Sequence, residues 1–407
     1  ASPVSAITTL YTGTTPTGIA DADITVNDTT ITITATDYIA IDGYTTGTAT
    51  FSATTITGAA ADIVTCLNGD DANVLHEAAI AVTATDTTIA AADINTLETL
   101  TTGVVTVSSA TRMTGAFAAV DEAFGHNDDT LGEVDGVVPP NRVSGLDNIN
   151  VTLTGDPTTA NVVSTIAQTG TGKVTATLPT TDENIADFSA ISGTGHSLTI
   201  APLVDNSIAA AALKTLDAAT TETISLVPAD GDDSPDISSS TYADVLDIVS
   251  SDGITGLSDA AATISDNITV AQANVLNGKT TGAITATISN GDVATLATLA
   301  ANTGSTANAY TVTVTDSTAA AASLNTIDDV TSVDVVITEV DTITGALADV
   351  HTLYVTNADN FTNEGSETVT LTDTTIDADL LMAVDAATDQ QITISNTVTA
   401  VTGSGQK

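Results

Sequence analysis

An internal repeat governs what this chain of 407 residues can fold into. The clearest copy runs from Val82 to Val107: a Val/Thr strand, an Asp, an Ala-rich stretch with spaced aliphatics, a Thr-Thr-Gly corner and a second strand. Further copies run from Leu198 to Leu226, Ala262 to Ile288, Val312 to Val340 and Val369 to Ile394, with a weaker one from Val151 to Leu178. The Asp anchors are Asp37, Asp86, Asp156, Asp205, Asp266, Asp316 and Asp373. Their spacing returns to about 50 residues and lengthens where extra segments intervene, so the basic period is about 50 residues with insertions. Ile94, Leu213, Leu324 and Leu381 lie eight residues after their anchors, and Leu97, Leu216, Ile327 and Val384 eleven after. A separation of three on an Ala-rich stretch puts each pair on one helical face.

Each repeat has a second half. It carries Ile56-Thr57-Gly58, Met113-Thr114-Gly115 or Ile343-Thr344-Gly345 before another Ala-rich run, with Gly291 to Leu299 in the same place. One coil is then about 25 residues, a strand plus a short helix or turn. A coil this short cannot bury its apolar face alone, but stacked coils share a narrow core. The expected fold is a repeat protein: a β-rich solenoid of short strands with short Ala-rich helices or turns. About sixteen coils at a spacing of about 4.8 Å would extend about 75 Å. Tandem β-sandwiches are the alternative.

Residues 1–30 read as an N-terminal segment. Residues 31–140 form a first part of the array, with an acidic insertion at 121–146 at its end. Residues 141–403 form a second part with insertions at 227–240 and 356–367, and 404–407 are a tail. The insertions are rich in Gly, Pro, Asn and Asp and read as loops. The stretch Ser395 to Lys407 enters the second half of a repeat without an Ala-rich run. An open terminal coil is expected there, either cut from a longer array or docked on another subunit. The start, Ala1-Ser2-Pro3, fits a processed or excised chain.

Composition narrows the partners. With 51 acidic and 6 basic residues the net charge is −45, which leaves little to neutralise phosphate, so nucleic acid and anionic membrane surfaces are poor partners. At 42 % hydrophobic the chain is not of the disordered class. Aromatics are 3 %, and roughly a fifth of the chain is Thr, which suits a thin core of small aliphatics with Thr on the pleated surface. No apolar run is long enough for a transmembrane helix, and the single Cys66 excludes an intrachain disulfide.

The pattern Thr-Asp, Ala-Ala-Asp, Asn-Thr-Leu, Thr-Thr-Gly, Ile-Thr-Gly-Ala-Ala over most of residues 30–403 resembles repeats of very large, acidic, Thr-rich surface proteins of marine bacteria, including cyanobacteria. The resemblance implies cell-surface, sheath, filament or adhesion roles, often with calcium, and transfers no catalytic residue.

Two sets of acids are candidate sites. Calcium takes six to eight oxygens from clustered carboxylates and carbonyls. Asp230, Asp232, Asp233 and Asp236 form one such cluster, and Asp128, Asp129, Glu133 and Asp135 with Asn127 form another. Asn68, Asp70, Asp71 and Asn73 form a third, and none matches an EF-hand or the calcium nonapeptide. No cofactor is required; calcium is the one these loops would take. The anchors Asp86, Asp205, Asp266, Asp316 and Asp373 read instead as structural caps, each just before an Ala-rich helix whose first N–H groups need acceptors.

Catalytic readings are weak. His76, His126, His196 and His351 share no ligand spacing, and Gly170-Thr-Gly172-Lys173-Val174 lacks the phosphate-loop pattern and reads as a turn into a strand. No Gly-x-Ser-x-Gly elbow is present. The chain is therefore expected not to be an enzyme. It reads as an extracellular or cell-surface structural protein that self-associates into a filament, sheath or surface layer, with cell-surface polysaccharide a further partner and no membrane insertion. The alternative is an adhesin or phage-fibre-like module that recognises glycan or a cell surface through its inserted loops.

Overall fold

A computed structural model of the chain describes residues 3–13, 18–27, 32–68, 74–75, 78–125, 143–178, 185–226, 234–362 and 364–404. The fold is mixed α/β: short strands of two to seven residues alternate with helices of four to ten residues and with single 3-10 or π turns. Every described strand pairing is parallel, and no sheet closes on itself among the described residues.

The parallel partner of a strand lies one half-repeat ahead. Ile33 pairs with Ile56, Ile56 with Val82, Val82 with Val105, and Val105 with Val143, which places five aliphatics in one row. All five are at most 2 % exposed. A second row runs Ile89, Met113, Val151, Val174, and a third Ala319, Ile343, Val369, Ile392. The strand alternation sends Thr outward, as in Ile24-Thr25-Val26 and Ile284 to Ile288. Helices bury the face expected from the repeat offsets, Ala91, Ile94 and Leu97 in one and Ala321, Leu324 and Ile327 in another, whereas in Ala378–Ala387 Val384 is buried and Leu381 only half-buried. Burying each such Leu or Ile contributes about 1.5–3 kcal/mol.

The chain forms two compact units. The first comprises residues 1–182 with 190–201 and 218–222. It holds a three-stranded sheet (24–26, 49–51, 74–75) and two five-stranded ones. Its helix Pro3–Thr12 packs on helix Ala35–Asp42, and Tyr11 stacks on Tyr44 with ring centroids 5.1 Å apart. Tyr38 and Phe51 stack at 3.9 Å inside the core. The second comprises 183–189, 202–217 and 223–407. Its largest sheet orders strands 207–208, 236–240, 262–268, 284–288 and 309–311.

Two expectations change. Tandem β-sandwiches need antiparallel pairing, so uniformly parallel strands with intervening helices remove that alternative. Parts of two insertions also form regular structure where their composition suggests loops. Residues 236–240 form a strand of the large sheet, and 352–362 fold as a π turn, a 3-10 turn and a short strand paired with Val335–Val336. Residues 126–142, 227–233 and 363 lie outside the described residues. No described helix is long and apolar enough to cross a membrane.

Candidate functional site: the joints between half-repeats

An α-helix leaves its first N–H groups without intrahelical acceptors. In this chain the acceptor for the first of them often comes from the next half-repeat. Asp86 accepts from Ala60 N–H at 2.7 Å, Asp205 from Ile185 at 2.7 Å and Asp266 from Tyr242 at 3.1 Å. Asp316 accepts from Val293 at 2.6 Å and Asp373 from Leu347 at 2.7 Å. Each donor is the first residue of its helix. The five anchors are therefore caps, with one correction: each caps the helix 20 to 26 residues before it, not the one that follows. The helix after Asp86 starts from Ala90, and that after Asp316 from Ala320, neither with a side-chain cap bond.

The local N-cap residue then serves a different donor. In the helix Tyr242–Ser250, Thr241 accepts from Asp244 N–H while Asp266 takes Tyr242 N–H. Helix Val293–Leu296 divides the work in the same way between Asp292 and Asp316. The carboxyl of Asp292 is held below its usual range by Thr295, through its hydroxyl and then its N–H.

Two joints use neutral acceptors. Asn290 takes Val270 N–H at 2.9 Å and Ser240 takes Ala210 N–H at 3.1 Å. At four other joints no described side chain of the next half-repeat takes the first helical N–H, and at the last of them Asp379 instead accepts from Ser404 N–H at 2.7 Å. In all four, strand pairing runs to the residue before the helix: Thr34 with Thr57, Ala90 with Thr114, Ala320 with Thr344 and Asp377 with Thr402. The following glycine lies over the first helical residue, which is Ala in all four. A Cβ on Gly58, Gly115, Gly345 or Gly403 would lie 2.9, 3.1, 3.5 or 3.3 Å from the Cβ of Ala35, Ala91, Ala321 or Ala378.

The Thr-Thr-Gly corners and their relatives make the second tie. The first Thr turns its hydroxyl inward and donates to a backbone carbonyl of the preceding half-repeat: Thr101 to Ile80 at 2.5 Å, Thr280 to Ala260 at 2.7 Å, Thr331 to Tyr310 at 2.8 Å and Thr388 to Gly365 at 2.9 Å. These hydroxyl-bearing residues are at most 8 % exposed. The same place holds Asn308, whose Oδ1 accepts from Ile284 N–H, and His196, whose Nδ1 accepts from Val174 N–H at 3.1 Å. His196 is thus a corner acceptor. Burial, and then the Lys173 charge, lower its pKa, which keeps Nδ1 free to accept. The Gly170 to Lys173 segment is the turn expected, with Gly170 at φ 62° and Thr171 N–H on Asn148 Oδ1.

Of the calcium candidates, Asp128, Asp129, Glu133, Asp135, Asp230, Asp232 and Asp233 lie outside the described residues, as do Asp70, Asp71 and Asn73. Asp236 opens the strand Asp236–Ser240 and is exposed. Among the described residues no group of three or more His, Cys, Asp or Glu is placed to hold a metal ion. Cys66 is buried, and its thiol, pushed up to about 12 by burial and then by Asp62, donates to Ala35 O.

Sequence reasoning missed one acidic corner in residues 352–367. Glu367 is fully buried, and its Oε2 accepts from the Tyr354 hydroxyl and from Gly365 N–H, both at 2.9 Å. Asp328, 7 % exposed, accepts from the side-chain amides of Asn357 and Asn360 at 2.7 and 3.1 Å. Its carboxyl is raised by burial, partly offset by Asn360. No repeat offset singles out Glu367, whereas Asp328 lies twelve residues after its anchor, as Glu98, Asp217 and Asp385 do after theirs. Asn290 and Ser240 could have been found by stepping one half-repeat either way from Asp266.

Comparison of the chain with protein-family models, with curated proteins and with solved structures returned no match. The five anchor carboxylates act on the protein's own backbone and fix helix starts, while Asp328 and Glu367 hold the groups of one corner.

Proposed function

We propose that the chain is an extracellular or cell-surface structural repeat protein whose half-repeats stack as a solenoid within each unit, and which self-associates into a filament, sheath or layer. The observation that carries this reading is the recurrence of one joint. Seven helices receive their first N–H bond from a side chain of the next half-repeat, and four more meet a glycine there. A joint that uses only a parallel ladder, a cap and a corner hydroxyl can be repeated without limit, which is the requirement of a stacking fold. Nothing in it selects a small-molecule substrate.

The net charge of −45 bears on assembly. Copies repel at low ionic strength, and salt shortens that repulsion to about 8 Å near physiological ionic strength. Divalent cations bridging the acidic segments around Asp128 and Asp230 would do the same more specifically. Electron microscopy and light scattering of the full chain, over a range of NaCl and CaCl₂, test the reading. Ordered polymers that appear with salt or calcium support it. A chain that stays monomeric throughout refutes it, and glycan binding by that monomer would favour the adhesin alternative.

A further inference from the structure

The corner built from 352–362 and 364–367 differs from those closed by Thr101, Thr280, Thr331 or Thr388 and from those closed by Asn308 or His196. Instead of one inward Thr it is closed by acids. Glu367 holds the Tyr354 hydroxyl and Gly365 N–H, with the Ser366 hydroxyl on its other oxygen at 3.3 Å. Glu364 stands three residues before it, and its Oε2 is buried without a hydrogen-bond partner. The next half-repeat is fastened to the same place, since Thr388 donates to Gly365 O. Two carboxylates, at 364 and 367, thus flank in sequence a carbonyl that the following corner uses.

Buried oxygen without a donor is unfavourable for an ionised carboxylate and tolerable for a carboxylic acid. The charged groups that act on Glu364 are Glu367 and Asp359, both negative, and Tyr354 is the other titratable group in the cluster. No positive charge is among them. Both hydrogen bonds at Glu367 Oε2 are accepted by it, from the Tyr354 hydroxyl and from Gly365 N–H.

We propose that Glu364 is a proton-operated latch on this corner: protonated, it lets the corner stay closed beside Glu367; ionised, it opens the corner and loosens the attachment of the half-repeat that follows. Burial first, then Glu367 and Asp359, push its pKa from 4.5 up to about 7. The sign follows from proton binding. Between those values the closed state holds more protons than the open one, so closure is favoured on the acid side and that advantage is lost as pH rises through about 7. The device is separate from self-association and does not depend on it.

Hydrogen exchange on the full-length chain, corrected for intrinsic rate, tests it from about pH 5 to about pH 9. Peptides covering 352–371 and 388–394 should lose protection about tenfold across neutrality, while the helix Ala91–Leu100 holds constant. E364Q should keep the corner protected at the alkaline end. D359N, at an exposed position, removes one repelling charge and should move the transition to lower pH without unfolding the chain. Protection that does not change with pH in the wild type, or a transition that D359N leaves in place, overturns the proposal. So does an alkaline loss in a folded E364Q chain equal to the wild type's.

Discussion

Ala35 and Ala60 each begin a helix, and each is met by the next half-repeat in a different way. Over Ala35 lies Gly58, so close that a Cβ there would come within 2.9 Å of the Ala35 Cβ. Onto Ala60 N–H comes the Asp86 carboxylate. The first joint is steric: two small residues let a ladder run to the helix start. The second is electrostatic: the ladder stops and a carboxylate takes the next N–H, at the positive end of the helix dipole. The two types alternate along Gly58, Asp86, Gly115 and again along Gly345, Asp373, Gly403. Between Ser240 and Asp316 the acceptor type occurs in succession, at Ser240, Asp266, Asn290 and Asp316. Where the two types alternate, each strand pairs with that of the next half-repeat but the same kind of joint returns only at every second one, so the sequence period there spans two structural coils; in the run from Ser240 to Asp316 the alternation is of charged and neutral acceptors instead.

The steric joint should break most sharply. G58A puts a methyl against Ala35 Cβ, the fixed first residue of a helix, and should destabilise the first unit by about 1–3 kcal/mol. G345A, where the same contact would be 3.5 Å, meets less crowding. Urea titration of the two variants should rank them in that order, and equal losses would remove the steric account.

The acceptor joint should yield less. D86A leaves Ala60 N–H without its partner and should cost about 1 kcal/mol, the ordinary value of a helix cap. D316A should cost less than D86A, because Asp292 still caps Thr295 in the helix that Asp316 serves. Denaturant midpoints at constant m-value decide this.

The positions of the caps were legible from the sequence, but their partners were not. The constant offsets of Ile94 and Leu97 identified helical faces, and Asp86, Asp205, Asp266, Asp316 and Asp373 stood out as helix caps. Which helix each caps depends on the register between half-repeats, and a one-dimensional period carries no register. The Thr residues divide in the same manner. Strand positions such as Thr25 face outward as alternation requires, while Thr101 and Thr280 face inward because a corner carbonyl needs a donor. The acidic corner was illegible because Glu364 and Glu367 occur once, at no repeat offset.

Corner chemistry supplies a finer test. His196 stands where other corners have Thr, and it can accept from Val174 N–H only while Nδ1 is unprotonated. Its pKa is lowered by burial first, so its contribution is present above the unfolded value of about 6.5 and is lost as pH falls below it. H196N should retain the acceptor, as Asn308 does in its own corner, and remove that pH dependence. Protection of Val174 N–H from exchange, followed from about pH 7 to about pH 5, is the readout. An unchanged acid response in H196N would assign the effect elsewhere.

The smallest effect separates charge from geometry within the acceptor joint. Asn290 shows that an amide oxygen can occupy the anchor place, at 2.9 Å from Val270 N–H. D86N keeps an acceptor and removes the charge, so only the interaction of that charge with the helix start is lost, about 0.3–1 kcal/mol. N290D makes the reverse exchange and should gain a similar amount at low salt. Both changes should shrink together as ionic strength rises, because a charge–dipole interaction is screened and a hydrogen bond is not. If D86N is instead as damaging as D86A, then the ionised carboxylate itself closes the joint. The neutral joints at Ser240 and Asn290 would then be the weak points at which each stack first separates.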